Sequence, residues 1–319
     1  MKESISKSYI GIDVSKATLD VCFDDHDTMA TIPNTPDGYK SLIKQFKQYE
    51  NVHVVMEATG GYERGAHRAL TLSKIPVSIV NAGRVRHFAK SKSVLEKSDR
   101  IDAKIIRLYA TENSPLETRL PDDISQRLEY FAKRREQLIR LRAVELQHKE
   151  SCDSKEILRT IKKSLQFFEK AIIAVEAMLK NILQEENFCK KAAIIKSFKG
   201  CGANAIFVLL SDLPELGEID PKAITKLAGL APIVCDSGKY KGKRIIKGGR
   251  ERVRRALYLC SLSAVQYNPQ IKAMHQRLIA KGKSAKTALI ACAHKILHIL
   301  NAMIRKGEKW DPTQFGISC

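Results

Sequence analysis

The segment YIGIDVSKATLDVCFDD (residues 9–25) holds the pattern from which the N-terminal fold can be predicted. Residues 9–13 form a mostly apolar run, and a turn is expected at residues 15–18. Apolar and polar residues alternate from Leu19 to Phe23, which is typical of a half-buried β-strand. The segment therefore predicts a β-hairpin, and the chain after it predicts the rest of a sheet.

Strands and helices alternate after this hairpin. The predicted elements are a third strand in MATIPNT (29–35), a helix in DGYKSLIKQFKQY (37–49), a strand in NVHVVMEATGG (51–61), a helix in YERGAHRALTLSK (62–74), a strand in PVSIVN (76–81) and a helix in SDRIDAKIIRLYA (98–110). Ser98 is a candidate N-cap of the last helix. The order β-β-β-α-β-α-β-α predicts a mixed α/β sheet within residues 1–121.

Residues 122–195 contain no Gly or Pro and have a different pattern. Apolar residues recur in steps of three and four at Ile157, Ile161, Leu165, Phe168, Ile172, Val175, Leu179 and Ile182. This spacing predicts long helices, with a break and an N-cap at Asp153–Ser154. Two arrangements are open: a helical bundle within the chain, or an intermolecular coiled coil that dimerises the protein. The coiled coil is favoured here because the stripe has no obvious partner of equal length in the chain.

Charge is concentrated in the C-terminal third. The 319 residues carry a formal net charge of +20, and residues 196–319 hold 22 basic and only 8 acidic side chains. Such an excess favours a polyanionic partner. No run of about 18 apolar residues indicates a membrane-spanning helix, and the first residues do not resemble a secretion signal. Eight scattered cysteines without a C-x-x-C pair favour reduced thiols in the cytoplasm.

A basic stretch, DSGKYKGKRIIKGGRERVRRALYL (236–259), is the strongest candidate nucleic-acid contact. Glycines interleaved with cations let the backbone approach phosphates, and a helix is expected over residues 251–264. The candidate contact residues are Lys239, Lys241, Lys243, Arg244, Lys247, Arg250, Arg252, Arg254 and Arg255. Gly200 and Gly202, in a turn before an apolar helix, resemble the hairpin of helix-hairpin-helix modules and are weaker candidates.

Four acids form a candidate metal site. Asp13 and Glu57 each end an apolar strand, where an unpaired buried carboxylate is costly. Asp99 and Asp102 are three residues apart, so they share one face of the predicted helix. Each acid alone has an ordinary explanation, such as capping a turn. Four carboxylates that meet would hold two Mg²⁺ ions, a pair suited to phosphodiester chemistry.

Over nearly its whole length the chain resembles the IS110-family transposases, which include the Piv-type DNA invertases. IGIDVSK, MEATGGYE and KSDRIDAKIIRLYA resemble the Asp-Glu-Asp-Asp site of that family, and GCGANAIFVLLSDL, AITKLAGLAPIVCDSGKYKGKR and GGRERVRRALYL resemble its second domain. The resemblance implies a RuvC-like, ribonuclease-H-type domain at residues 1–121, a long coiled-coil segment at 122–195 and a mainly helical basic domain at 196–319. It places the metal ligands at Asp13, Glu57, Asp99 and Asp102.

The resemblance also implies a catalytic serine, and Ser237 is the matching residue. It implies attack on DNA that gives a transient phosphoserine link, two Mg²⁺ ions, and a structured non-coding RNA that pairs with donor and target DNA. It further implies a homo-oligomer, a dimer or tetramer, in which the composite site forms within or between subunits. A cytoplasmic, nucleoid-associated location would follow.

Other functions remain open at this point. A site-specific DNA invertase would share the chemistry, whereas a RuvC-like nuclease or junction resolvase would hydrolyse DNA without a phosphoserine. A non-catalytic nucleic-acid-binding protein would bind without metal. His294 and His298 lie four apart on a predicted helix, but a zinc site would need a third ligand, so they are interpreted as structural residues.

Overall fold

The computed structural model describes residues 7–23, 28–93, 99–233 and 244–314, without the side chains of Asp99 and Arg100. The chain divides into two compact units, residues 1–121 and residues 122–319. The predicted helix cap Ser98 lies outside the described residues. The first unit combines a sheet with helices, and the second is largely helical.

The first unit is built on a five-stranded sheet. Its elements are β1 (Ser8–Val14), β2 (Thr18–Cys22), β3 (Met29–Pro33), α1 (Pro36–Phe46), β4 (Val52–Glu57), α2 (Glu63–Leu72), β5 (Val77–Val80), α3 (Ala82–Ser91) and α4 (Asp99–Asn113). The strand order is β3-β2-β1-β4-β5, with β1 antiparallel to β2 and parallel to β4. The predicted mixed sheet is confirmed, and it is compatible with a RuvC-like α/β domain.

The two faces of this sheet pack against different helices. Ile10 and Ile12 point to one face, where they form a buried cluster with Leu42 of α1 and Leu70 of α2. The opposite face is covered by α4, because Val55 belongs to a second buried cluster that includes residues of that helix. Alternation of side chains along each strand produces this division.

Gly11 allows α4 to lie directly on the sheet. A Cβ atom at this position would stand 2.2 Å from the carbonyl oxygen of Ala103 and 2.5 Å from the backbone nitrogen of Arg107. These are backbone atoms, which cannot move aside as a flexible side chain would. The absence of a side chain at Gly11 therefore determines how closely α4 approaches β1.

Helix α3 was not predicted from the sequence. Asn81 caps it by accepting a hydrogen bond from the backbone nitrogen of Gly83 (2.8 Å). Val85 is its one fully buried side chain, and Phe88 packs edge-on against Tyr109 of α4. With so few apolar residues facing the core, the segment lacks the periodicity that would identify a helix.

The second unit consists of eight helices and a short two-stranded ribbon among its described residues. They are α5 (Asp123–Glu150), α6 (Lys155–Ile182), α7 (Glu186–Ser197), α8 (Ala203–Asp212), α9 (Pro221–Leu227), β6 (Pro232–Ile233), β7 (Ile245–Ile246), α10 (Glu251–Tyr267), α11 (Pro269–Ala280) and α12 (Ala285–Lys306). The helices of residues 122–195 share one buried core with those of the C-terminal region.

Helices α5 and α6 form an antiparallel hairpin, and both contain 28 residues. Ser154 caps α6 by accepting a hydrogen bond from the backbone nitrogen of Ile157, which confirms the predicted break. The expectation that the apolar stripe has no intrachain partner of equal length was wrong, because α5 is that partner. Most residues of the stripe are buried or half-buried within the chain, and an intermolecular coiled coil is not confirmed.

Helix α12 is the central helix of the second unit. By length and composition it could cross a membrane. It was not predicted as such a helix, because it contains no run of about 18 consecutive apolar residues. Ten of its residues are buried, among them Cys292, Ile296 and Leu300, in the common core of this unit. Its apolar character is therefore accounted for by packing against the other helices.

Replacing Gly11 with Ala is expected to destabilise the first unit. The new methyl group would collide with the backbone of α4, so the helix must shift, at a cost of about 1–3 kcal/mol for overpacking. Chemical denaturation followed by circular dichroism measures this loss. Ser41→Ala serves as the control, because it adds no atoms and lies at an exposed position of α1 in the same unit. An unchanged free energy of unfolding in the Gly11 variant would contradict the interpretation of this contact.

Candidate active site

Two of the predicted acids end neighbouring strands of the first unit. Strands β1 and β4 run parallel, and their register aligns Gly11 with Val55. Asp13 and Glu57 stand two residues further along these strands, so they lie side by side and point to the same face as Gly11 and Val55. That face is the one covered by α4.

The direction of α4 brings its first turn to the same end of the sheet. Ser114–Glu117, which follow α4, line a cavity of about 460 Å³ together with Lys7 and Asn51, which precede β1 and β4. The last turn of α4 therefore lies at the amino ends of these strands. Its first turn, which contains Asp99 and Asp102, lies at their carboxyl ends.

The donor chemistry at this end of the sheet suits a hard divalent cation. Asp13, Glu57 and Asp102 are half-buried, and Asp13 Oδ1 accepts a hydrogen bond from the backbone nitrogen of Val14 (3.0 Å). Within the described residues, no three His, Cys, Asp or Glu side chains stand close enough to hold a metal ion. The side chain of Asp99 is outside that set. Carboxylate oxygens are the ligands that Mg²⁺ prefers, so the residue types suit this cation. The described acids do not by themselves form a metal site, and the four-acid site remains a prediction.

Sequence analysis missed a further acid next to Asp13. Asp20 on β2 stands directly opposite Asp13 in the antiparallel register, and only 7% of it is exposed. It accepts a hydrogen bond from the hydroxyl of Thr31 on β3 (2.6 Å). Like charges directly opposite each other destabilise a sheet, and a nearby cation relieves the repulsion. The sequence gives no signal for this acid, because Asp20 lies at the polar position of the alternation between Leu19 and Val21, which is typical of a solvent-facing residue.

Asn34 connects three loops at the carboxyl end of the sheet. Its amide nitrogen donates to the carbonyl oxygens of Ser15 (2.8 Å) and Tyr62 (3.2 Å), and its amide oxygen accepts from the Tyr39 hydroxyl (2.5 Å). These bonds link the loop after β1 to the loops after β3 and β4. They restrict the backbone on either side of the strand ends that carry Asp13 and Glu57.

Glu63 holds the loop that follows Glu57. Its Oε2 atom accepts hydrogen bonds from the backbone nitrogens of Thr59 (3.2 Å) and Gly61 (2.9 Å) and from the Thr59 hydroxyl (3.1 Å). Burial acts to raise the pKa of Glu63, but these donors outweigh it, and the pKa lies below its ordinary value. Gly60 and Gly61 have φ angles of +79° and +124°, so the turn requires glycine.

The basic stretch of the second unit lies only partly within the described residues. Ser237 and three of the predicted contacts, Lys239, Lys241 and Lys243, lie outside them. Arg244 and Lys247 are exposed, and neither has an ion pair in the part of the chain that the structure describes. These two side chains are available to bind an external anion.

Several predicted contact arginines have carboxylate partners within the second unit. Arg250 binds Glu215 through two nitrogens, one at 2.7 Å. The pKa of Glu215 lies below its ordinary value. Burial alone would raise this pKa, but the hydrogen bonds and positive charge of Arg250 have the larger effect. Arg252 pairs with Glu136 of α5 (2.6 Å), and Arg254 donates to the carbonyl oxygen of Gly248. Part of the positive charge read from the sequence is thus neutralised internally.

The glycines of the predicted hairpin lie between α7 and α8. Gly200 has a φ of +115°, and a Cβ there would stand 2.7 Å from the side chain of Ala264 in α10. Glycine therefore permits both the turn and its close packing on α10. Gly202 is exposed at the N-terminus of α8. A role of either glycine in nucleic-acid binding remains a prediction.

Two family models match the chain. The model for the Asp-Glu-Asp-Asp transposase domain of IS110 matches residues 10–152, and the model for the transposase of the IS116/IS110/IS902 family matches residues 192–276. Together they cover well over half of the chain, and the first spans the strands and the helix that carry the acids. The chain belongs to the IS110 family of transposases. It is a DNA recombinase enzyme.

Curated relatives agree with this assignment. A pilin gene-inverting protein of Moraxella lacunata is 29% identical, with 96% of this chain and 98% of that protein aligned. The pilin gene-inverting protein of Moraxella bovis is 28% identical over the same shares. An insertion element IS110 protein of Streptomyces coelicolor is 28% identical over 43% of this chain.

The two histidines on α12 of this transposase contact each other and a neighbouring helix. The rings of His294 and His298 lie 4.4 Å apart, and His298 Nε2 is 2.9 Å from the hydroxyl of Thr225. Burial lowers the pKa of both histidines, and neighbouring positive charge lowers it further. No third ligand joins them within the described residues.

Glu63→Gln is expected to destabilise the transposase at neutral pH. The carboxylate accepts three hydrogen bonds, so its loss should cost about 1 kcal/mol. Since the folded pKa is depressed, this contribution is present above the ordinary value of 4.5 and declines as the pH falls below it. Thermal unfolding at several pH values should show the difference shrinking at acidic pH. The exposed Glu50→Gln variant is the control, and a pH-independent difference would contradict this role.

Proposed function

We propose that this transposase cuts and rejoins DNA strands at the end of the sheet where Asp13 and Glu57 lie beside the first turn of α4. One observation carries the proposal: acids distant in sequence share one face and one end of the first unit. The parallel register of β1 and β4 and the antiparallel direction of α4 support it independently of the family resemblance.

The acids in this proposal bind divalent metal. Asp13, Glu57, Asp99 and Asp102 would hold Mg²⁺, two ions when all four take part, and Asp20 adds negative charge beside them. A cation held by these residues would neutralise charge on the phosphodiester oxygens. The protein supplies the frame: the strand ends set the positions of two carboxylates, while Asn34 and Glu63 restrain the loops around them.

Ser237 is the proposed nucleophile, on the strength of its match to the family motif. Its hydroxyl oxygen gives up its proton and bonds to phosphorus, the bond from phosphorus to the sugar oxygen breaks, and the leaving sugar oxygen takes up a proton, so that none is gained or lost overall. The resulting phosphoserine link conserves the bond energy for rejoining to another strand. The basic residues that follow Ser237 in the sequence favour a phosphate close to it.

Donor and target DNA are the proposed substrates, with a structured non-coding RNA as guide. Base pairing would read the sequence, while the protein binds backbone shape and charge. The exposed Arg244 and Lys247 and the net charge of the C-terminal third support nucleic-acid binding. Site-specific DNA inversion is the second candidate, supported by the near-full-length match to two pilin gene-inverting proteins.

The helical hairpin provides a proposed dimer interface, although not through the stripe that sequence analysis singled out. The outer side of α6 carries a second row at steps of four and three: Phe167, Ala171, Ala174 and Met178. Phe167 is 64% exposed and Met178 is 48% exposed. Heptad-like spacing of exposed apolar residues suits a coiled-coil contact with a second copy.

Asp13→Asn and Ser237→Ala are expected to abolish the covalent protein–DNA adduct while DNA binding persists. The first removes a proposed metal ligand, and the second removes the proposed nucleophile. The adduct is measured on denaturing gels with end-labelled element DNA, and binding is measured by mobility shift. Chelation of divalent metal should act like Asp13→Asn, and added Mg²⁺ should raise the melting temperature of the natural protein but not of this variant.

The control is Asp37→Asn, which changes an exposed acid paired with Lys40 on α1. It should keep full activity. Cleavage by Ser237→Ala without an adduct would reject the serine and favour a hydrolytic nuclease. Binding without any cleavage by the natural protein in Mg²⁺ and its RNA would favour a non-catalytic protein.

Phe167→Glu is expected to weaken self-association. A charge in the centre of an apolar contact must be desolvated, so the dimer dissociation constant should rise at least about tenfold. Light scattering after size exclusion measures the mass over a concentration series. Gln166→Glu adds the same charge to an adjacent exposed position of α6 and should leave association unchanged. Equal behaviour of both variants would exclude this face as the interface.

A further inference from the structure

Four arginines line a cavity in the second unit. The cavity has a volume of about 420 Å³ and lies between α5, α8 and α10. Arg135 and Arg140 reach it from α5, and Arg252 and Arg255 reach it from α10. Such a concentration of guanidinium groups in one concave site is the arrangement that proteins use to bind phosphate.

Three of these arginines converge on one carboxylate. Glu136 accepts hydrogen bonds from Arg140 (2.8 Å), from Arg252 (2.6 Å) and from Arg255. It is the one acidic residue among the residues that line the cavity. Its carboxylate therefore occupies the place where an external anion would find its donors already oriented.

The remaining acids around the cavity do not cancel its charge. Arg135 donates to Glu176 (2.7 Å), and Arg252 pairs also with Asp212 (2.6 Å). Together with Glu136, three carboxylates face four guanidinium groups. Each guanidinium has five N–H donors, and the Nη2 atom of Arg252 has no hydrogen-bond partner within the described part of the chain.

The exposure of the arginines allows an external ligand to approach. Of their side chains, 66% of Arg140 and 45% of Arg255 are exposed, whereas Arg252 is 20% exposed. Next to them, the wall of the cavity is apolar, formed by Phe207, Val208 and Ala256, with the half-exposed Leu259 at the rim. A charged side beside an apolar side suits an amphipathic ligand.

We propose that this cavity binds one nucleotide of a nucleic-acid strand, with its phosphate at the arginines and its sugar or base against the apolar wall. The proposal rests on the proposed function, since it names where unpaired nucleic acid is held. The volume suits one nucleotide and excludes the broad face of a duplex. Glu136 acts as an internal competitor, whose carboxylate binds the arginines until a phosphate replaces it.

Two nearby arginines of α5, each in an ion pair, allow the proposal to be tested with a matched control. Arg140 pairs with Glu136 at the cavity, whereas Arg142 pairs with Glu169 outside it. Arg140→Gln should weaken binding of a labelled 20-nucleotide single strand about tenfold, as expected for lost charge-assisted hydrogen bonds to phosphate. It should also lower the salt slope by about 0.7. Arg142→Gln should change neither.

Removing the carboxylate of Glu136 is expected to change single-strand affinity in the opposite direction to Arg140→Gln. Glu136→Gln should tighten single-strand binding several-fold, whereas Glu169→Gln should leave it unchanged. Fluorescence anisotropy is measured with DNA and RNA strands separately, and a greater effect on one identifies the strand that the cavity takes. Melting temperatures verify that each variant is folded.

Equal affinity of the Arg140 and Arg142 variants would overturn the proposal. So would equal losses on single strands and on a duplex of the same length, because they would indicate general surface charge. Failure of the active-site proposal is distinguishable, since Asp13→Asn should retain single-strand binding and its dependence on Arg140. If Asp13→Asn abolishes cleavage but single-strand binding still depends on Arg140, the cavity proposal is supported.

Discussion

The close contact between α4 and β1 at Gly11 positions the acids. Because no side chain separates them, the backbone of Ala103 and Arg107 packs against β1 more closely than any side chain at position 11 would allow. This contact also sets how far the first turn of α4 lies from the strand ends. The placement of Asp102 relative to Asp13 therefore depends on a residue that has no functional group of its own.

The parts of the first unit that could be predicted follow from local rules. Apolar runs and, for β2, alternation predicted the strands, and an acid at the end of each of two apolar strands singled out Asp13 and Glu57. Asp20 and Glu63 could not be found in this way. Asp20 gains its significance from a cross-strand neighbour, and Glu63 from a loop that folds back onto its carboxylate. Both roles depend on contacts that the linear sequence does not display.

The expectation that the stripe of α6 has no equal partner in the chain was wrong for a specific physical reason, which lies in α5. Its inward face is interrupted by Arg135 and Arg142, so its apolar spacing looks incomplete. These arginines reach across to Glu176 and Glu169 of α6, where ion pairs replace apolar contacts. A helix that contacts its partner partly through ion pairs shows an incomplete pattern of apolar residues in its sequence. The carboxylates that neutralise Arg250 and Arg252 were not predicted either, since they come from segments distant in the sequence.

In the proposed function, the distribution of charge separates the capture of DNA from the metal-dependent step of the reaction. Asp13 and Glu57 at neighbouring strand ends repel phosphate, so in this proposal a cation is needed before DNA can approach them. The excess charge of the C-terminal third attracts nucleic acid without metal, although internal carboxylates reduce the number of arginines free to do so. Arginines suit phosphates that must be held unchanged, because the guanidinium group binds them without activating them as a divalent cation does. A strand-exchange enzyme needs both kinds of phosphate contact, and the two proposed sites lie in different units.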